Sequence, residues 1–292
     1  MTLHPVTPAG PQPRRLASQY DALHAARART SLVARLYAEA MGEDYPIEVN
    51  ASSSCDWPLL GLMTARLRMR PGQLLMDAGC GNGGIGLWLA RALAVRLIGF
   101  DISPNAVAQA TARITDFVPA GQAAFHIARM EATGLPDSCV HGAVCVDAFG
   151  RADDRASALR ELGRLLAPGG RLLLTRGLRP GVTPAWEEQA RAAGLILECV
   201  HERPTEPAMW ERLYRLWIDH ADELRRDLGD FPARNMLAEA HRMLPVLPGR
   251  RAVLLALRRA GTSPAMPDAA DTMAQPSRPH GGGSPSTERT PE

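Results

Sequence analysis

The stretch Leu74-Leu-Met-Asp-Ala-Gly-Cys-Gly-Asn-Gly-Gly-Ile-Gly86 constrains this chain more than any other. An apolar run ends in Asp77 and passes at once into a turn holding Gly79, Gly81, Gly83 and Gly84. Ile85, Leu89 and Leu93 then recur at helical spacing, with Trp88 and Ala92 beside them. The pattern predicts a strand, a tight turn and a helix N-terminus, in that order. Glycine serves where the backbone takes a positive φ or where a ligand must touch the main chain. The first N–H groups of a helix have no partner inside it and face such a ligand.

The chain around this loop repeats the theme. Val95–Asp101 reads as a buried strand ending in an acid, and Ser103-Pro104 opens a helix that runs to about Ile114. A strand follows at Ala123–Ile127, a loop at Glu131–Pro136, and a strand from Val140 to Val146 that ends at Asp147. Leu159, Leu162, Leu165 and Leu166 mark a helix that ends at Pro168-Gly-Gly170, before a strand from Arg171 to Thr175. A helix over Trp186–Ala193 and a strand over Leu195–Val200 complete the alternation. Continuous apolar strands alternating with helices indicate a parallel sheet covered on both faces, an α/β fold.

Two regions depart from that rhythm. Residues 14–70 read as a helical N-terminal cap, with one helix from Arg14 to Met41 stopped by Gly42 and another from Leu59 to Leu67. Within the core of 71–260, residues 206–248 carry helical pattern only, as an insertion before a last strand at Arg251–Leu257. Pro5, Pro8, Pro11 and Pro13 predict an irregular, disordered segment over 1–13, and Gly, Pro, Ser and Thr predict a disordered tail over 261–292.

Composition narrows the function. Basic and acidic residues number 33 and 31, so no bulk charge argues for nucleic acid or a membrane surface. The five cysteines form no C-x-x-C pair and predict no disulfide framework. Cys139, His141 and Cys145 match no tetrahedral zinc spacing, so no metal is expected. No apolar run approaches the ~18 residues of a membrane span, and no signal peptide is read at the N-terminus. The expected location is cytoplasmic.

Gly79-x-Gly81-x-x-Gly84, with Asp101 beyond it, formally satisfies a dinucleotide fingerprint, and an NAD-dependent oxidoreductase is the first rival reading. Asp77 argues against it. A carboxylate there would repel a pyrophosphate held on the turn's amides but would suit a ligand carrying an ammonium group. Glu131 offers a further acid at the next strand end, where it could accept from an adenine amine.

In these motifs the chain resembles the class I S-adenosylmethionine-dependent methyltransferases, of the small-molecule type with a core like that of ubiquinone-biosynthesis methyltransferases. Asp77-x-Gly79-x-Gly81-x-Gly83 is similar to the family's first motif, Asp101 to its ribose-binding acid, and Glu131-Ala132 with Leu135-Pro136-Asp137 to its adenine loop. Leu159–Leu174, with Pro168-Gly-Gly170, resembles the motif around its fifth strand. The resemblance implies a Rossmann-like, doubly wound seven-stranded sheet with an antiparallel last strand. It also implies S-adenosylmethionine as cofactor, with Tyr20, Asp77, Gly79, Cys80, Gly81, Gly83, Asp101, Ile102, Glu131, Ala132 and Asp147 as the residues that hold it.

Candidates for base catalysis are Asp147 at a strand end, His24 one turn after Tyr20, and His220 beside Trp217. Trp57 before the core and the stripe Trp210, Tyr214, Trp217 are candidates to wall a substrate pocket; plain packing is the alternative for the stripe. The expected reaction is methyl transfer to a small or medium-sized, partly apolar acceptor of specialised metabolism, or to a peptide. A non-catalytic regulator on the same fold is the second rival.

Overall fold

The computed structural model describes residues 11–261. Seven strands make one sheet: β1 (Leu74–Ala78), β2 (Arg96–Asp101), β3 (Ala123–Ile127), β4 (Val140–Cys145), β5 (Leu166–Leu178), β6 (Leu195–Glu202) and β7 (Arg251–Arg259). They lie in the order β3-β2-β1-β4-β5-β7-β6. β1 to β5 pair in parallel, and β7 runs antiparallel between β5 and β6. The predicted strands and their order around the glycine loop are all present. β5 is longer than its apolar run suggested: Leu166 already pairs with Val140, and the register shifts before Gly142 meets Arg171, so Pro168-Gly-Gly170 lies inside the strand at an irregularity.

Strand periodicity decides which faces the helices cover. In β1, Leu75 and Asp77 point to one face and Met76 and Ala78 to the other. Leu75 joins a core built with α3 (Trp57–Leu67), α4 (Gly84–Leu93) and α5 (Pro104–Ala112). Met76 and Ala78 join a second core with α7 (Arg155–Leu165) and α8 (Trp186–Ala192), while a short α6 (Ile114–Phe117) follows α5. α3, expected as part of the N-terminal cap, therefore belongs to the sheet: Leu59, Leu60 and Met63 are buried in its first core.

A third core has no strand in it. α1 (Pro11–Arg27) and α2 (Leu32–Met41) pack against α9 (Glu206–Asp219), α10 (Ala221–Leu228) and α11 (Asp230–Met243). Leu32, Leu36 and Tyr37 meet Leu213, Tyr214 and Trp217 there. The cap and the insertion, far apart in sequence, are thus one helical lid. The expected single helix from Arg14 to Met41 is broken over residues 28–31, where Thr30 Oγ1 accepts from the Leu32 N–H and donates to Asp227 on α10. The prolines at 11 and 13 sit in the first turn of α1, where a missing N–H costs nothing, so the irregular segment expected over 1–13 does not extend that far. Residues 1–10 and the tail from 262 lie outside the described residues.

Candidate functional site

β1 and β2 deliver two carboxylates to the same edge of the sheet, and the main chain receives both. Asp77 is 3% exposed, and its Oδ2 accepts from the Gly86 N–H of α4 at 3.0 Å. Burial pushes its carboxyl up to about 7, against the pull of that hydrogen bond. Asp101 accepts from the Gly81 N–H at 3.0 Å and from the Ser103 N–H at 3.0 Å.

Most of the loop's amides are already engaged inside the protein. Gly79 and Cys80 donate to the Phe100 carbonyl, Gly81 to Asp101, Gly83 to Cys80, Gly84 to the Asn82 side chain and Gly86 to Asp77. A pyrophosphate needs such N–H groups free. An acid-lined loop with most of its donors engaged does not fit a dinucleotide. It fits a ligand that brings hydroxyl and ammonium donors, as the ribose and amino acid of S-adenosylmethionine do. A Cβ on Gly79 would lie 2.3 Å from that of Ala148, and one on Gly83 2.7 Å from that of Ala110, so these glycines let the protein pack on itself. Gly81, at φ +53°, faces outward; its nearest neighbour in that direction is His24 Cε1, 3.5 Å from the Cβ position. The Cys80 side chain is buried beneath the loop, where burial raises its thiol.

The lid brings Tyr20 and His24 of α1 to this edge. The Tyr20 ring lies 6.0 Å from the Arg151 guanidinium, and burial raises its phenol. His24 was expected as a general base. Burial, with Arg27 beside it, lowers its imidazole to about 4, so it is neutral near pH 7 and too weak a base for that task. Its place is over Gly81.

Several predicted residues serve the framework instead. Glu131 is turned away from the loop: Oε1 accepts from the Asp153 N–H at 2.8 Å, and Oε2 lies 3.5 Å from Arg129. It ties the loop after β3 to the start of α7, and only its backbone and that of exposed Ala132 remain for an adenine contact. Asp147 sits in the left-handed region at φ +56°, with Oδ2 accepting from the Ser54 N–H at 2.6 Å and Oδ1 from the Thr175 hydroxyl at 2.9 Å. Both its oxygens accept hydrogen bonds inside the protein, so it holds the end of β4 in place. His220 pairs with Glu223 at 3.3 Å at the junction of α9 and α10, away from the loop. Trp57, at the start of α3, packs edge-on against Trp88 at 5.7 Å. Half-buried Ile102 follows β2 beside Asp101.

The aromatic stripe is lid core. Trp210 stacks on Tyr214 at 5.4 Å, and Tyr37 meets Trp210 and Trp217 edge-on at 6.3 and 6.4 Å. Plain packing therefore describes Trp217 and most of Trp210. Their polar ends lead to residues that the sequence pattern did not mark. Trp210 donates to Glu206 at 2.8 Å, and Tyr214 donates to Glu239 at 3.2 Å, which also pairs with Arg151. Arg203, 8% exposed, donates to the Ser54 hydroxyl at 2.8 Å and to its carbonyl, and lies 3.4 Å from Asp56. Glu206 is 4% exposed, its Oε2 has no hydrogen-bond partner, and burial raises its carboxyl. Only the buried setting, which local pattern does not encode, distinguishes these from ordinary surface charges. Among the described residues, no helix is long and apolar enough to cross a membrane.

Comparison with known proteins agrees with this geometry. The methyltransferase-domain family matches residues 75–170. The chain is 32% identical over 110 residues to the O-methyltransferase resE of Aspergillus sclerotiorum, covering 38% of this chain and 42% of that protein. It is 27% identical over 165 residues to the 27-O-demethylrifamycin SV methyltransferase of Amycolatopsis mediterranei, 56% of this chain and 58% of that one. The chain spans about half the length of the curated relatives it matches. Among solved structures, the [4+2]-cyclase SpnF superposes with a TM-score of 0.67 at 20% identity, over 87% of this chain and 98% of SpnF. A Geobacter sulfurreducens S-adenosylmethionine-dependent methyltransferase bound to S-adenosylhomocysteine gives 0.56 at 20% identity, over 76% and 97%. These structures share its fold.

Proposed function

We propose, from the premise that its core is a class I S-adenosylmethionine-dependent methyltransferase domain, that this chain methylates a small or medium-sized, partly apolar acceptor. One observation carries the reading: Asp77 and Asp101 line a glycine loop most of whose amides are engaged inside the protein. The names of the relatives, O-methyltransferases among them, support an oxygen acceptor made in specialised metabolism.

Asp101 would hold the ribose hydroxyls, the backbone at Gly79 and Gly81 the amino-acid end, and Ile102 with the backbone of residues 131–132 the adenine. Tyr20 and His24 would close over them from α1. When bound, the cofactor supplies an electrophilic methyl group. The protein's part is then to exclude water and to hold the acceptor in line, which alone can account for a large share of the acceleration. Asp147, fixed by Ser54 and Thr175, shapes the end of β4 where the acceptor would lie. His24 is held neutral and Asp147 is engaged by Ser54 and Thr175, which suits an acidic acceptor such as a phenol. Domain limits follow the three cores: the sheet with α3, and a lid of α1–α2 and α9–α11.

Titration calorimetry tests the reading. Saturable S-adenosylhomocysteine binding with no NAD binding is expected, together with label transfer from S-adenosylmethionine to members of a phenol panel. NAD binding without S-adenosylhomocysteine binding would defeat it. Transfer to peptides but not phenols would keep the cofactor and replace the acceptor.

A further inference from the structure

Polar contacts hold one face of α1 to the rest of the protein. Among its described residues only Ala26 is fully buried, and Leu23 packs beside it. On the polar face, Asp21 receives three hydrogen bonds from the start of α5. The Ser103 hydroxyl donates at 2.8 Å, the Asn105 N–H at 2.9 Å and the Asn105 side-chain amide at 3.0 Å. Burial works against its charge, but these donors hold the Asp21 carboxyl below the usual range. One turn on, the Gln109 amide donates to the His24 carbonyl at 3.0 Å. These contacts set the His24 ring over Gly81, with Cε1 3.5 Å from where a Cβ on that glycine would stand.

A cofactor laid along that loop must pass α1. The residues at 28–31, where the helix breaks, supply the bend that such a movement needs. We propose that Asp21 is the latch of this lid: its grip on Ser103 and Asn105 holds α1 across the glycine loop, and its release lets the cofactor in and the product out. The inference rests on the cofactor reading above. Asp21 touches none of the reacting groups; it is a positioning residue acting through Tyr20 and His24.

Because the latch is a carboxylate accepting from several donors, Asp21→Asn keeps the shape and removes the charge and part of the accepting capacity. Stopped-flow binding of S-adenosylhomocysteine to the full chain is expected to show dissociation about tenfold faster in Asp21→Asn, with faster association as well. Gln109→Ala should give a smaller change in the same direction. Hydrogen exchange supplies a readout independent of the ligand: protection of residues 17–27 should fall in Asp21→Asn while that of β1, β4 and β5 stays as in the wild type. Unchanged rates in a variant with native sheet protection would overturn the latch. So would unchanged protection of α1. Wild-type protein with no saturable S-adenosylhomocysteine binding would overturn both the latch and the cofactor reading, whereas normal binding with unchanged rates removes the latch alone.

Discussion

Two regions meet over Gly81, and they hold their charged groups in different ways. At the sheet edge, Asp77 and Asp101 are received by backbone N–H groups of Gly86, Gly81 and Ser103. In the lid and along its seam with the sheet, side chains take a larger part: Trp210 donates to Glu206, Arg151 and Tyr214 to Glu239, and Arg203 shares Asp56 with the Leu59 N–H. A main-chain donor is present whatever residue occupies its position, so the first arrangement needs only glycines and two acids. The second needs particular side chains on distant elements. The cofactor edge is therefore the part that a family can share, and the lid the part that can be rebuilt for each acceptor.

The sharpest way to break the contrast is to remove a side-chain partner that backbone cannot replace. Arg203→Ala should strand the buried Ser54 carbonyl, take the charged partner from Asp56 and lower stability by about 3 kcal/mol, read from urea unfolding. A loss below about 1 kcal/mol would mean that water reaches the seam freely. Next in size, Asp101→Ala should weaken S-adenosylhomocysteine binding by about 1–3 kcal/mol in calorimetry with little change in the unfolding midpoint. Unaltered affinity would remove Asp101 from the site.

The two regions should also answer pH with opposite signs. Asp77 is raised to about 7 in the fold from an ordinary 3.8, so the native state keeps a proton that the unfolded chain gives up. Its contribution is most favourable at the acid end and declines as pH rises from about 4 to 7. His24 is lowered to about 4 from 6.5, so the unfolded chain takes a proton that the native state refuses. Its contribution is present above about 6.5 and is lost as pH falls toward 4. Each slope is at most about 1.4 kcal/mol per pH unit. Asp77→Asn should make stability rise more steeply with pH than in the wild type between pH 5 and 7, and His24→Gln should make it rise less steeply. Parallel curves for both variants would refute the assignments. The smallest effect belongs to Glu239→Gln, which loosens Arg151 and Tyr214 at a partly open surface and should cost about 0.5–1 kcal/mol.

How far the site was legible follows from the range of its contacts. Asp101 could be placed at the loop because it ends the strand that follows the loop and its helix, a spacing the apolar pattern records, with Ser103 two residues on. Asp147 read as a free acid at a strand end, but the Ser54 N–H that occupies it is 93 residues away. The Glu131 side chain likewise meets partners outside its own stretch, the N–H groups of residues 153 and 154 across an intervening strand. The latch at Asp21 spans 82 residues to Ser103, and Arg203 reaches Ser54 across 149. No periodicity records such meetings.

The sequence by itself determined the alternation of strands and helices, the strand-end acids and the glycine turn, because apolar spacing and backbone freedom act over a few neighbouring residues. It also determined that the chain carries helices foreign to that alternation on both sides of the sheet segment. Only the tertiary structure decided that those helices fuse into one lid with its own core, and that α3 leaves the cap for the sheet. It likewise decided that His24 rests on Gly81 as a neutral contact, while Trp57 packs against Trp88 and His220 pairs with Glu223. These outcomes depend on which buried surfaces find one another and which polar groups are left to pair when water is excluded, and both are settled only once the whole chain has closed.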